Sequence, residues 1–319
     1  MRKLIVVNEA FRTEDFDRVR KAVSPHGFDV QCFSRDTDAL SSLEDAEIIF
    51  GASALLARNA PRLDWLCTPS AGIDQFLAPG TFASPQARLT NSSGAYGVTI
   101  SEHVVMITLE MLRRQQDYNA LVSRREWVRN LPVRSILGSR IALLGTGDIG
   151  QEIARRLRGF LPARLTGFNR SGRNPGGLFD EVLPLSSLDK LLPETDILIA
   201  SLPGTSETFH ILDHDRLCLL PEKALVVNVG RGSLIDESAL LPLLLKGHLL
   251  AALDVFETEP LPADSPLWSC PGLLTMPHVA GNMTLPYTRE RIISLFLEDF
   301  DNFRLGRPLL REVDLKRGY

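Results

Sequence analysis

Long apolar runs are missing from this sequence. None approaches the roughly 18 residues that a membrane-spanning helix needs, so no membrane span is expected. Cysteine is scarce and scattered: Cys32, Cys67, Cys218 and Cys270 form no C-x-x-C pair, and no histidine stands at metal-ligand spacing from them. That excludes a disulfide framework or a zinc module, and no metal is expected. Neither sign of charge dominates, since 35 Lys and Arg against 39 Asp and Glu leave a net charge of −4. A general attraction to nucleic acid or to an anionic membrane is therefore not expected. Low-complexity tracts and repeats of 20–50 residues are also absent. The opening "MRKLIVVNEA" has an apolar core too short for a signal peptide and reads as a first strand. These absences lead to the expectation of a soluble protein of a reducing compartment, most simply the cytoplasm.

What is present alternates. Through residue 95, "KLIVV", "FDVQCF", "EIIFGA", "LDWLC" and "ARLTN" read as short strands, with "DFDRVRKAV" and "SALLARNA" as helices between them. Residues 99–122 read as one long helix, followed by an irregular, arginine-dense segment running to Gly138. A second series opens at Arg140 with "RIALLG", "ARLTGFN", "EVLPL", "DILIASL", "ALVVNVG", "LLAALDVF" and "LLTMPH". Their apolar runs suit strands buried on both faces of a parallel sheet. A final helix over about 285–305 ends before "GRP". The reading is α/β, with two doubly wound parallel-sheet domains. A substrate domain is expected over 1–95 plus 286–319, and a dinucleotide-binding domain over 96–285.

The second series begins with a dinucleotide fingerprint. In "IALLGTGDIGQEIARRL" (141–157) an apolar run leads into Gly145, Gly147 and Gly150, with Asp148 and Ile149 between the last two, and then into helical periodicity. Gly145 permits the tight turn, Gly147 the approach of a pyrophosphate, and Gly150 close helix–strand packing. The helix N-terminus then offers N–H groups and partial positive charge to the phosphates. About 20 residues later an acid should hold the adenine ribose, but the apolar run ends in Asn169, Arg170 and Ser171. A cation and neutral donors suit a 2′-phosphate, which an acid would repel. NADP(H) is therefore favoured, NAD(H) is the alternative, and Arg173 is a candidate second cation.

Three later segments carry chemistry: "VVNVGRGSLID", "ALDVFETEPLP" and "TMPHVAGN". Arg231, Glu259 and His278 each follow or flank a strand end, the edge where open α/β sheets bind ligands. An arginine fork can grip a carboxylate and polarise a carbonyl. An imidazolium can deliver a proton to a developing alkoxide. A carboxylate on the other ring nitrogen orients that imidazole and favours its charged form. Glu257 competes with Glu259 for this last role.

Taken together and in order, "GTGDIG", "NVGRG", "LDVFETEPLP" and "PHVAG" resemble the D-isomer-specific 2-hydroxyacid dehydrogenase family, with "PSAGIDQF", "SEHVVMITLEMLRR" and "LGSRIALLG" extending the likeness over nearly the whole chain. The resemblance implies a flavodoxin-like substrate domain, a Rossmann cofactor domain and a cleft between them. It implies catalytic roles for Arg231 as substrate clamp, Glu259 as histidine partner and His278 as general acid/base. It assigns Asp254 to the nicotinamide carboxamide, and Leu202, Pro203, Thr208 and Val229 to cofactor contact. It gives the Ala71–Gly72 backbone to the substrate carboxylate, as an anion nest. The sequence departs from the family at "GNMT" (281–284), where many members have a small residue or Trp before the Thr, and in the missing acid at Asn169.

The expected activity is reduction of a small 2-keto acid, glyoxylate or hydroxypyruvate as first guesses, to the D-2-hydroxy acid. Two alternatives stand beside it: a dinucleotide-sensing corepressor-like protein, and a dehydrogenase of a bulkier acid such as phosphoglycerate. The segment holding Arg124, Arg125, Trp127, Arg129 and Arg134 lacks the pattern of RNA modules. In the family it forms an arm against a second subunit, so a homodimer is expected, with Trp127 a candidate for the neighbouring substrate site. His103 reads as helix-terminal packing, while His26, His210, His214 and His248 carry no assigned chemistry.

Overall fold

A computed structural model describes residues 2–174 and 176–315. The chain divides into two compact units, Met1–Tyr96 with Asn282–Tyr319, and Gly97–Gly281.

In the first unit, strands β1 (Arg2–Val7), β2 (Phe28–Phe33), β3 (Ile48–Phe50), β4 (Trp65–Cys67) and β5 (Arg88–Thr90) alternate with helices α1 (Thr13–Val23), α2 (Asp36–Ala39) and α3 (Ala54–Arg58). They form one parallel sheet in the order β2-β1-β3-β4-β5, the flavodoxin-like order. The unit is completed from the other end of the chain by its last helix, Pro286–Arg304. That helix returns because its aromatic face is needed: Phe296 stacks on Phe50 and on Trp65 with ring centroids 4.3 and 5.2 Å apart. The buried Trp65 indole is satisfied by donating to Thr90 Oγ1 at 2.9 Å. Beside this apolar contact, Arg289 donates to the Asp15 carboxylate, a pair whose side chains are both about nine-tenths buried.

The second unit runs α4 (Gly97–Leu112), α5 (Gln115–Ser123), β6 (Arg140–Leu144), α6 (Asp148–Arg158), β7 (Arg164–Asn169), β8 (Glu181–Pro184), α7 (Leu188–Leu191), β9 (Ile197–Ala200), α8 (His214–Leu219), β10 (Leu225–Asn228), α9 (Glu237–Leu245), β11 (Leu250–Leu253) and β12 (Leu273–Thr275). The helix that returns to the first unit follows as α10. The seven strands pair in parallel in the order β12-β11-β10-β9-β6-β7-β8. This is the Rossmann arrangement with one strand added at the β12 edge. The central strands are buried along their length apart from Arg140 at the start of β6, as their continuous apolar runs require.

The helix expected over 99–122 is two helices. Arg114 takes left-handed backbone angles, with φ of 55°. The carbonyl of Leu112 is claimed by the N–H of Arg134, which returns from the irregular segment, and the Arg114 guanidinium binds Asp117 in the first turn of α5. Helical periodicity in the sequence carries no sign of an acceptor taken from 22 residues downstream.

No helix among the described residues is long and apolar enough to cross a membrane, and no cluster of metal-ligating side chains is present among them.

Candidate active site

The sheet order reverses between β6 and β9, and it is outside the carboxyl ends of the strands at such a switch point that open α/β sheets bind ligands. The fingerprint loop occupies that position. Gly145 has φ of +103°, and a Cβ there would stand 2.8 Å from Ser201 Oγ. A Cβ on Gly150 would come within 2.0 Å of the Gly145 carbonyl oxygen, so α6 can pack this tightly on its loop only with glycine there. Around Gly147, the N-cap of α6, a Cβ would meet nothing within 4 Å. A tight turn, an open approach and an eleven-residue helix starting at the strand end suit the pyrophosphate of a dinucleotide.

At the end of β7, the Asn169 side chain is bonded within its own turn and to the fingerprint loop. Its Oδ1 accepts from the N–H groups of Ser171 and Gly172, and its Nδ2 donates to Thr146 Oγ1 at 2.7 Å and to the Arg173 carbonyl at 2.8 Å. The side chain thus folds the 169–173 turn and ties it to the fingerprint loop. An aspartate here would set a carboxylate oxygen against the Arg173 carbonyl, a physical reason for the amide in place of the usual acid. Arg170 is exposed and pairs with Glu207 at 2.5 Å. Glu207 belongs to the loop after β9, which Thr208 shapes: that buried hydroxyl donates to the Pro203 carbonyl and accepts from Thr205 N. Leu202 and Val229 are buried at the ends of β9 and β10, and Pro203 is exposed.

The loops after β10, β11 and β12 are bolted together. Asn228 Nδ2 donates to the Arg231 carbonyl at 2.8 Å, and its Oδ1 accepts from Gly230 N, so the amide sets the turn that presents Arg231. The Arg231 side chain runs past Gly204, where a Cβ would lie 3.2 Å from Arg231 Cγ. The Asn228 carbonyl accepts from Asp254 N, and the Asp254 carbonyl accepts from His278 N. The Asp254 carboxylate is almost fully buried and accepts from the N–H groups of Val279 and Ala280 at 2.8 and 3.0 Å. These three bonds hold His278 at φ of 53°, a left-handed conformation that a non-glycine residue adopts only when its surroundings demand it.

Of the two competing glutamates, Glu259 reaches the imidazole: its Oε2 lies 2.7 Å from His278 Nδ1, while its Oε1 accepts from Phe256 N at 2.9 Å. Glu257 points to α9 and to His210 instead. The His278 ring is half exposed.

His103, on α4, lies closer to this machinery than its sequence context suggests. Its ring is nine-tenths buried, and Nε2 sits 3.7 Å from Asp254 Oδ1 without a hydrogen bond. Burial pushes this imidazole toward its neutral form, against the opposing pull of Asp254. Asn228, Glu237 and His210 were also not readable as site residues, because their partners are backbone groups or side chains brought close only by the fold.

In the first unit, the carbonyls of Ala71 and Gly72 accept from Asn91 and Ser70, and neither N–H has a partner among the described residues. Trp127 is 88 % exposed. A cavity of about 640 Å³ opens elsewhere, beside Arg134, Lys223, Lys246 and Gly272. It lies at the amino ends of β10–β12, the edge opposite to the loops described above, and holds none of their chemistry.

Known proteins share this chain's sequence pattern and fold. Residues 105–280, more than half of the chain, match the family model described as D-isomer specific 2-hydroxyacid dehydrogenase, NAD binding domain. A solved family member from Aeromonas salmonicida subsp. salmonicida A449 is 32% identical, with a TM-score of 0.88 over 98% of this chain and 99% of that one. An NADPH-dependent glyoxylate/hydroxypyruvate reductase from Sinorhizobium meliloti, solved with NADP and sulfate, is 28% identical, with a TM-score of 0.84 over the whole of both chains. Glyoxylate/hydroxypyruvate reductase B of Serratia proteamaculans is 29% identical over 88% of this chain and 89% of its own. The NAD-binding domain of the family model and the NADP of the Sinorhizobium structure make a nicotinamide dinucleotide the cofactor class of this fingerprint. The chain belongs to the D-isomer specific 2-hydroxyacid dehydrogenase family.

Proposed function

We propose that the protein reduces a small 2-keto acid, glyoxylate or hydroxypyruvate, to its 2-hydroxy acid, the D isomer where the product is chiral, with NADPH as the preferred reductant. The observation that carries this reading is the Glu259–His278 pair at 2.7 Å on the carboxyl edge of a dinucleotide-binding sheet. The substrate class draws on the Sinorhizobium and Serratia relatives, and the cofactor preference on Arg170 at the end of β7.

When bound, the dinucleotide supplies the hydride; Gly145–Gly150, Leu202, Pro203, Thr208, Val229 and Asp254 are proposed to hold it. The chain's own residues do the rest. Arg231, presented by Asn228, grips the substrate carboxylate and polarises the keto group through its two-pronged donor geometry. The Ala71–Gly72 turn is proposed as a further carboxylate-binding element. Glu259 accepts a hydrogen bond from Nδ1–H, and in the imidazolium that acts as the acid the second proton sits on Nε2. His278 Nε2 then gives that proton to the developing alkoxide. Such general-acid assistance contributes about 10²–10⁴ in rate. A homodimer, with the Trp127 arm reaching the partner, completes the proposal.

His278→Ala tests the reading. Turnover of glyoxylate and hydroxypyruvate with NADPH should fall by about 10² or more, while NADPH binding, read by nicotinamide fluorescence, stays intact. Near-normal turnover in that variant would remove the mechanism. A wild-type protein that binds NADPH yet turns over no acid in a panel would favour the sensing alternative.

A further inference from the structure

Two glutamates outside the catalytic pair hold each other's loops. Glu237 N donates to Glu257 Oε1 at 2.9 Å, and Glu257 N donates to Glu237 Oε1 at 2.7 Å. This reciprocal clasp joins the start of α9 to the turn that carries Glu259. The two loops also touch backbone to backbone: a Cβ on Gly232 would stand 1.9 Å from the Phe256 carbonyl carbon and 2.4 Å from Glu257 N. A third loop closes the arrangement. His210, at φ of 47°, donates its N–H to the Ser233 carbonyl, and its buried Nε2 lies 3.2 Å from Glu257 Oε2, out of line for a hydrogen bond.

We propose that Glu237 and Glu257 are positioning residues for the Glu259–His278 pair: their clasp fixes the 256–259 turn, so that one Glu259 oxygen stays on Phe256 N and the other on His278 Nδ1. The inference rests on the proposed role of His278 but concerns residues that need touch neither substrate nor cofactor. The clasp is built against resistance. Burial raises the pKa of Glu237, and the charges of Glu257 and Glu259 push it the same way, partly offset by the backbone N–H it accepts. Two carboxylates close to a third are unfavourable unless their hydrogen bonds do something in return. An ordinary helix start would be capped by Asp236 alone, which already accepts from Ala239 N.

Each clasp bond uses only the Oε1 acceptor, which glutamine retains and alanine lacks. E237A/E257A should lower kcat for keto-acid reduction by about tenfold or more, with KM within about twofold, because misplacement of a reacting group is felt in the transition state. E237Q/E257Q should keep kcat near the wild-type value. The second readout needs no substrate: long-range 1H–15N correlation spectra report which nitrogen of His278 carries the proton, with the signals assigned by H278N. Wild type and the glutamine variant should show the Nδ1–H tautomer held by Glu259, and the alanine variant a shift toward Nε2–H. If the double alanine variant does not fold, the single variants E237A and E257A, each sparing one bond, should shift the tautomer part of the way. A folded alanine variant with the wild-type tautomer and kcat overturns the proposal. So does a folded glutamine variant that behaves like alanine, since charge and not the clasp would then be at work. A wild type inactive on every acid would defeat the reductase reading instead, and the tautomer would still decide this one.

Discussion

Arg170→Ala is the sharpest test of cofactor choice, because the structure shows what Arg170 would give up to meet a 2′-phosphate. Arg170 is paired with Glu207 at 2.5 Å, with side chains 56 % and 67 % exposed. An exposed pair of this kind is worth about 0–1 kcal/mol, less at high salt. A guanidinium hydrogen-bonded to a phosphate dianion is worth about 1.5–3 kcal/mol. Turning from Glu207 to a 2′-phosphate therefore costs less than it returns, and the net preference from this residue is about 1–2 kcal/mol. R170A should raise KM for NADPH by about 5- to 30-fold, since about 1.4 kcal/mol corresponds to tenfold, and leave KM for NADH nearly unchanged. Glu207→Gln should act in the opposite sense, tightening NADPH by up to about fivefold. Adding Asn169→Asp to R170A should move the preference further toward NADH, at some cost to the 169–173 turn, whose Arg173 carbonyl loses its donor. Steady-state kinetics with both cofactors, at low and at physiological salt, measure all of this. An NADPH/NADH ratio of kcat/KM that is the same in R170A as in the wild type refutes the reasoning.

Gly150→Ala places a Cβ 2.0 Å from the Gly145 carbonyl oxygen, far inside van der Waals contact. Forcing the loop off α6 should cost about 1–3 kcal/mol in urea unfolding and weaken NADPH binding by tenfold or more in a fluorescence titration. Asp196→Asn tests the acid stability of the second unit. Arg140 holds the Asp196 carboxyl below its ordinary 3.8 through its side-chain bonds and then its backbone N–H, with burial opposing. A depressed carboxylate stabilises the fold above its unfolded value and loses that contribution as the pH falls through the folded one. The Tm of the wild type should therefore drop below about pH 4, and D196N should start lower and show a shallower drop.

The fold was legible because its strands are buried on both faces, which writes each of them as an unbroken apolar run. "RIALL" and "LVVN" need no partner information to be recognised. The break at Arg114 was not legible, since the event that ends α4 is a hydrogen bond from Arg134, and nothing local to "LRRQQ" encodes it. The same physics separates the two glutamates. Glu257 and Glu259 are equivalent to any reading of composition or charge, and only the resemblance favoured the second. In the structure the difference comes from what stands nearby: α9 and His210 for one, His278 for the other.

The site shows why chemistry-bearing residues were easier to find than the groups that hold them. Arg231, Glu259 and His278 stand out as candidates because only a few residue types can clamp a carboxylate, orient an imidazole and move a proton. Their supports act mainly through backbone groups. Asn228 holds the Arg231 carbonyl, Asp254 holds the N–H groups of Val279 and Ala280, and Glu237 and Glu257 hold each other's N–H. Backbone donors have no residue letter, so these contacts leave little trace in composition or periodicity. The left-handed angle at His278 is the visible consequence of that hidden layer: three hydrogen bonds accepted by one aspartate keep the catalytic candidate in a conformation that the unfolded chain would avoid. Variants of these supports should therefore change where His278 points before they change whether the unit folds, which is why the tautomer of that one ring reports on residues that never touch it.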